Sequence, residues 1–219
     1  MITYQDVFNN EEINALIARG NQVLKTMGFT EHSKVHAAIV AQRTAEILTS
    51  LGCSEREVEL AKIAGFMHDI GNSINRYDHA QSGALLAYQI LKEMDMPMED
   101  RLTIITAIGN HDEKTGTAID PVSAALIIGD KTDVRRNRVQ AASQAQFDIH
   151  DRVNYAVLAS SVVYREDKQA IEMTLELDDS ICSLMEYFEI FLDRMLMCQK
   201  ACQVLGCKFR LVANGTKLC

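Results

Sequence analysis

Apolar residues recur at three- and four-residue spacing along most of the first 137 positions, which is typical of amphipathic helices. Ser54-x-x-Glu57 is a capping box, and Asp120-Pro121 places a cap before a proline at the first helical position. Gly28 and Gly52 stand where two of the helices can end. The predicted helices span residues 10–27, 31–51, 54–69, 79–94, 97–109 and 120–137.

The pattern changes after about residue 148. Val153–Tyr164 is rich in β-branched and aromatic residues, and Ala170–Leu177 alternates between apolar and polar residues, so both are predicted to be strands. A long helix over 181–205 and a short strand over Phe209–Ala213 follow. We therefore expect a mainly α protein, with a helical domain and a small α+β (β-β-α-β) module. The expected domain bounds are 1–147 and 148–219.

Composition is that of an ordinary soluble protein, with 47% hydrophobic and 24% charged residues. The net charge of −8 argues against a general nucleic-acid binder but is compatible with a nucleotide substrate, because a metal ion can supply positive charge locally. The sequence contains neither a secretory signal pattern nor an apolar run of the roughly 18 residues that span a bilayer. We therefore expect a cytoplasmic protein with no membrane partner.

The six cysteines form neither paired C-x-x-C motifs nor a small disulfide framework. Reduced, buried thiols in a cytoplasmic protein are the expected state. Cys198, Cys202 and Cys207 lie close in sequence, but their spacing fits no common metal site.

Candidate chemistry centres on the stretch Phe66–Gly71, an apolar helical run that ends in His68-Asp69 before a glycine. Burying such a pair without partners costs several kcal/mol, so a metal ion or hydrogen bonds are expected. The pair alone is weak evidence, because His-Asp recurs at His111 and His150. Other histidines near helix ends, and Asp130 in an apolar helix, strengthen it.

Taken together, these residues resemble the HD-domain phosphohydrolase superfamily over residues 32–138. The matching stretches include Met67-His68-Asp69-Ile70-Gly71-Asn72, Gly109-Asn110-His111-Asp112-Glu113 and Ile127-Ile128-Gly129-Asp130-Lys131. The resemblance implies a helical fold and a metal-dependent phosphohydrolase. The residues that it implies as metal ligands are His36, His68, Asp69, His79, His111 and Asp130.

In this family the positions of His36, His68, Asp69 and Asp130 hold one metal ion. His79 and His111 match the additional histidines of members that hold a second ion, with Asp69 bridging the two. Imidazole and carboxylate ligands suit Mn²⁺, Fe²⁺, Co²⁺, Ni²⁺ or Zn²⁺. The expected cofactors are therefore one or two divalent ions, and the expected substrate is a phosphorylated small molecule or a nucleotide.

Two departures prevent the transfer of a particular substrate from the family. Members that cleave cyclic di-GMP have adjacent histidines where this chain has His111-Asp112, followed by a Gly-Tyr-Pro signature that is missing here. Alarmone hydrolases have Glu-Asp after the His-Asp pair, whereas this chain has Ile70-Gly71.

Several roles stay open at the sequence level. Asp112 is a metal ligand, a proton donor to the leaving group or a solvated loop carboxylate, and Asp69, Lys131 and Asp112 are the catalytic candidates. Lys131 and Arg135 would share a helical face toward the site, with Lys131 the best candidate for binding phosphate, or form a solvated helix end. A substrate role is conceivable for the loop residues Asn72, Arg76 and Asp78, while His32 is interpreted as an ordinary core or surface residue.

Two other functions compete with hydrolysis. The same ligand set serves diiron proteins that use O₂ to cleave C–H or C–P bonds. A non-catalytic module that binds a metal or nucleotide is the third hypothesis, supported by the β-β-α-β module, whose expected roles are homodimerisation or partner binding.

Overall fold

The structure is a computed structural model that describes residues 1–140 and 147–219. It confirms the predicted fold class, a helical bundle followed by a small four-stranded sheet. The helices of the bundle are α1 (Tyr4–Asn9), α2 (Glu11–Thr26), α3 (Lys34–Ser50), α4 (Glu55–Met67), α5 (His79–Glu93), α6 (Met98–Gly109), α7 (Pro121–Lys131) and α8 (Ile149–Ala156).

The C-terminal part contains β1 (Val157–Arg165), β2 (Ala170–Leu177), α9 (Leu184–Val204), β3 (Lys208–Ala213) and β4 (Thr216–Lys217). The sheet order is β1-β2-β3-β4, with β2 and β3 parallel and the other pairs antiparallel. α9 is the crossover between the parallel strands, and it also packs against α7 of the bundle. This contact brings the C-terminal part close to the end of α7.

Caps place several helix starts where the sequence predicts them. Ser54 and Glu57 form the expected capping box at α4, and the Asp120 carboxylate accepts a hydrogen bond from the Ser123 backbone N–H at α7. Thr3 caps a short helix, α1, that the sequence analysis missed. Asp78 precedes α5 in a left-handed conformation with φ of 56° and makes no side-chain cap.

Two predicted bounds are wrong. α7 ends at Lys131 instead of 137, so Lys131 and Arg135 do not share a helical face. The first part of the strand predicted over 153–164 is helical, because Asp148 caps α8 and the strand begins only at Val157.

The buried apolar residues of the bundle and the sheet form one hydrophobic cluster. In the C-terminal part, Tyr187 is fully buried and makes edge-to-face contacts with Phe188 and Phe191. The cysteines are free thiols, and Cys198 and Cys202 lie in this cluster. The division into 1–147 and 148–219 stays a prediction.

None of the helices in residues 1–140 and 147–219 combines the length and the apolar character required to cross a membrane.

Candidate metal centre

The ends of five helices bring the predicted ligands together. His68 is the C-cap of α4, His79 is the first residue of α5, and His111 lies two residues after α6. His36 is in the first turn of α3, and Asp130 is in the last turn of α7. The ends of separate helices therefore surround Asp69, which directly follows α4.

Close backbone approach makes this convergence possible. A Cβ on Gly65 would lie 2.7 Å from the Cα of Ala41, so α3 and α4 can pack this closely only without a side chain there. A Cβ on Gly71 would overlap the carbonyl oxygen of His79. Glycine at these positions lets α3 and α5 approach the segment that carries His68 and Asp69.

The first ligand group consists of His36, His68, Asp69 and Asp130. Oδ2 of Asp69 lies 3.7 Å from Nε2 of His36 and 3.3 Å from Nε2 of His68. Oδ1 of Asp130 lies 3.4 Å and 3.6 Å from the same two nitrogens. Ligands at about 2.0–2.2 Å from one ion are separated by roughly 3–3.5 Å, so these distances match a shared metal site.

The second group uses the other oxygen of Asp69. Oδ1 of Asp69 lies 3.6 Å from Nε2 of His79 and 3.9 Å from Nε2 of His111. The two imidazole nitrogens are 3.1 Å apart. Asp69 therefore faces one group with each carboxylate oxygen, which is the arrangement that a bridging ligand requires.

In every one of these histidines, the nitrogen that faces away from the carboxylates is held by an oxygen. Nδ1 of His68 lies 2.8 Å from the Gly65 carbonyl, and Nδ1 of His111 lies 2.6 Å from the Ile108 carbonyl. His79 uses the Arg76 carbonyl in the same way, at 3.1 Å. A neutral imidazole that donates through Nδ1 presents the lone pair of Nε2, which is the form that binds metals.

Several of the inward-facing atoms are buried without a hydrogen-bond partner among the described residues. They are Nε2 of His36, Nε2 of His68 and Oδ2 of Asp69. Leaving such atoms unpaired is costly. Since imidazole and carboxylate form the donor set, a divalent transition metal fits this position. Two groups of three residues satisfy the distance requirement for an ion: His36, His68 and Asp130, and His68, Asp69 and His111.

Electrostatics keep the carboxylates ionised. Burial raises the pKa of Asp69, but His68, His32 and His79 together outweigh it, and the net pKa lies well below the ordinary value. The pKa of Asp130 is likewise well below its ordinary value, because Lys131, His36 and His68 together outweigh burial. Burial lowers the pKa of His111 well below its usual range, which favours the neutral ring. For His68, burial is outweighed by the neighbouring carboxylates, which raise the pKa to about 10.

The ammonium group of Lys131 is not exposed to bind a phosphate group. It is buried, and its Nζ lies 2.7 Å from both Oδ2 of Asp130 and Oε2 of Glu113. The ammonium group therefore balances two carboxylates beside the first ligand group. Glu113, which the sequence analysis did not single out, has its pKa lowered because Lys131 and Arg194 outweigh its burial.

The other open candidates lie around the ligand groups. Nδ2 of the buried Asn72 donates to Oδ1 of Asp69 at 2.7 Å and so orients this carboxylate. Nη1 of Arg76 is 3.3 Å from Nε2 of His79. Asp112 and Asp78 line the adjoining cleft, and neither belongs to the two ion-sized groups in the described chain.

Two residues near the centre were not predicted there: His32 was interpreted as an ordinary core or surface residue, and Asp133 was not singled out. Nε2 of His32 lies 4.0 Å from Oδ2 of Asp69, and Nδ1 of His32 is held by the Thr30 carbonyl at 2.6 Å. Oδ2 of Asp133 lies 2.7 Å from Nδ1 of His36 and so orients that ring. The spacing of His32 one helical turn before His36, and of Asp133 three residues after Asp130, is the only signal that the sequence offers.

A cleft of about 540 Å³ adjoins the centre, within the size range of small-molecule sites. His32, His79 and Asp112 line its inner part. The rest of the lining includes four basic residues, three further acidic ones and three aromatic ones: Arg76, Lys114, Arg138, Arg194, Asp78, Glu113, Asp148, Phe29, Tyr77 and Phe191. The arginines can bind the oxygen atoms of an anion, and the aromatic rings can contact a planar or apolar part of the same ligand.

The chain is similar to known proteins over much of its length. The chain is 24% identical over 212 residues to the uncharacterized protein MJ1020 of Methanocaldococcus jannaschii, covering 85% of this chain and 79% of the relative. A crystal structure of a predicted HD superfamily hydrolase from an uncultured Thermotogales bacterium aligns with a TM-score of 0.44 and 24% identity. It covers 57% of this chain and 67% of that one. The sequence model of the HD domain matches residues 34–154, which is more than half of the chain. The protein therefore belongs to the HD domain family.

Proposed function

We propose that the protein is a metal-dependent phosphohydrolase that acts on a phosphate ester or nucleotide, with two divalent ions bridged by Asp69. The observation that carries this proposal is the convergence of the buried, unpaired Nε2 atoms of His36 and His68 on Asp69 beside a cleft whose wall contains three arginines and a lysine. The HD family consists generally of metal-dependent hydrolases, which supports the reaction class.

When bound, divalent ions lower the pKa of a coordinated water and neutralise phosphate charge. The protein holds the ligand atoms in place: Asn72 fixes Asp69, Asp133 fixes His36, and backbone carbonyls fix the remaining rings. Lys131 keeps Asp130 ionised, which is a supporting role and not substrate contact. Asp112, at the cleft wall, is our candidate for protonating the leaving group.

The test is a panel of phosphate esters and nucleotides assayed with added Mn²⁺. We expect the wild-type protein to release phosphate or a nucleoside monophosphate, and His68→Ala and Asp69→Ala to lose all turnover. Asp193→Ala is the matched control, because Asp193 is an exposed residue of α9. Retained turnover in both centre variants, or a wild-type protein that binds a nucleotide without ever cleaving it, would exclude the proposal.

A further inference from the structure

Arg194 connects the C-terminal part of the chain to the metal centre. It lies on α9, and its Nε is 3.4 Å from Oε1 of Glu113. Glu113 contacts Lys131, and Lys131 contacts the ligand Asp130. Arg194 is thus the outer member of a row of alternating charges that begins at the centre.

The guanidinium of Arg194 is available to a ligand in a way that the Lys131 ammonium is not. Lys131 is 4% exposed and lies between two carboxylates. The Arg194 side chain is 26% exposed, and within residues 1–140 and 147–219 its only hydrogen bond is the long one from Nε. Arginine has five N–H donors, so its two terminal nitrogens stay free for oxygen atoms of an anion.

The position of Arg194 fits such a role. Arg194 borders both the small recess over Asp69 and Asp130 and the larger cleft that opens from it. Its guanidinium carbon lies 4.6 Å from the centre of the Phe191 ring, which limits its range of orientations. Arg138 also borders the recess, but it is buried and donates to the carbonyls of Asp133 and Glu31.

We propose that Arg194 binds the phosphate group of the substrate and that α9 thereby completes the active site. This proposal rests on the phosphohydrolase function, because it assigns an anionic substrate to the same cleft. It replaces Lys131 with Arg194 as the phosphate-binding cation. It also gives the C-terminal part a direct role in substrate binding.

The test is calorimetric titration of inorganic phosphate into full-length, Mn²⁺-saturated protein. Because an arginine makes charge-assisted hydrogen bonds to phosphate, we expect Arg194→Ala to bind phosphate about tenfold or more weakly. Arg194→Lys keeps the charge without the planar guanidinium, so its phosphate affinity should lie between those of the wild type and Arg194→Ala. Arg19→Ala, at an exposed position on α2, is the control and should bind phosphate like the wild type.

Glu113→Gln separates direct binding from an effect through the row of charges. If Arg194 contacts phosphate, this variant keeps phosphate affinity within about threefold once saturated with Mn²⁺. Equal losses in Glu113→Gln and Arg194→Ala, or unchanged phosphate affinity in Arg194→Ala, would overturn the proposal. Phosphate binding is measured without turnover, so a wild-type protein that binds phosphate through Arg194 but cleaves no substrate would overturn only the phosphohydrolase function.

Discussion

At the scale of single residues, the centre depends on side chains that orient the ligands as much as on the ligands. The side chain of Asp133 is fully buried, and its carboxylate contacts His36, Arg135 and Arg138. Its pKa is held well below the ordinary range, because these hydrogen bonds and charges outweigh burial. A permanently ionised partner raises the basicity of the His36 ring as a ligand.

We therefore expect Asp133→Asn to weaken metal binding about 10- to 100-fold, the usual effect of removing such a supporting partner. The measurement is Mn²⁺ titration by calorimetry, with Asp193→Asn as the exposed control. Wild-type affinity in Asp133→Asn would mean that His36 needs no orienting carboxylate.

The sequence indicated the candidate ligands but not the residues that hold them in orientation. All six predicted ligands lie together in the structure. Three of them, His68, His79 and His111, lie at helix ends, and a sequence shows helix ends through its capping residues and glycines. Asp133 and Arg194 contact residues far away in the chain, and the position of Asp133 three residues after Asp130 is the only local signal for either. Lys131 directly follows the candidate ligand Asp130 in the sequence, but its ammonium group forms an ion pair with Glu113.

At the scale of elements, the approach of α3 to α4 sets the position of His68. The Gly65 backbone lies against Ala41, and the Gly65 carbonyl also accepts the hydrogen bond from His68. Gly65→Ala should therefore destabilise the protein by about 1–3 kcal/mol through overpacking. Denaturant unfolding measures this loss, and Mn²⁺ titration should detect weaker binding in the same variant.

Gly109→Ala is the matched control for this prediction. A Cβ at Gly109 would lie 3.7 Å from the Ala84 side chain, an ordinary contact, at the last residue of α6. Its stability should be unchanged or slightly higher, because alanine favours helix. Equal losses in the two variants would show that helix spacing at Gly65 is not the cause.

The capping box of α4 gives a prediction that depends on pH. Hydrogen bonds from Ser54 lower the pKa of Glu57 below its ordinary value of 4.5 in the folded protein. The stabilisation from this pair is therefore present above that value and is lost as the pH falls through the lowered pKa.

Ser54→Ala should thus cost about 1 kcal/mol at pH 7 and progressively less toward pH 3, because protonation of Glu57 weakens the bond that Ser54 donates to its carboxylate. Urea unfolding at the two pH values checks this. A cost that is independent of pH would contradict a role for the ionised Glu57.

The predictions of two element bounds, the end of α7 and the start of β1, were wrong for physical reasons. The helix predicted to reach residue 137 ends at Lys131, where Thr132 bonds back to the Ile128 carbonyl and Asp133 contacts the buried His36. In the stretch 153–164, β-branched residues suggest a strand, yet the Asp148 cap imposes a helix on its first residues. Tertiary contacts and a single cap overrode local preference in these two places.

At the scale of the whole molecule, metal binding and folding stability are coupled. The centre joins residues from α3 to α7, so an ion that binds only the folded chain stabilises the bundle. Mn²⁺ at about 100 times its Kd should add about 2.7 kcal/mol. At this chain length the unfolding temperature should rise by roughly 5–10 °C.

Thermal unfolding with Mn²⁺ and with a chelator measures this difference. His68→Ala should unfold at the same temperature in both conditions, whereas Asp193→Ala should show the full difference. An unfolding temperature of the wild-type protein that is the same with Mn²⁺ and with chelator would contradict coupling between the centre and the fold.

The most direct measurement for the central claim is the metal content of freshly purified protein by elemental analysis. The account predicts between one and two divalent transition-metal ions per wild-type chain. It predicts a loss of at least one ion in His79→Ala, and of essentially all metal in Asp69→Ala. Wild-type protein that contains no metal and takes up none when Mn²⁺, Fe²⁺ or Zn²⁺ is added would contradict it.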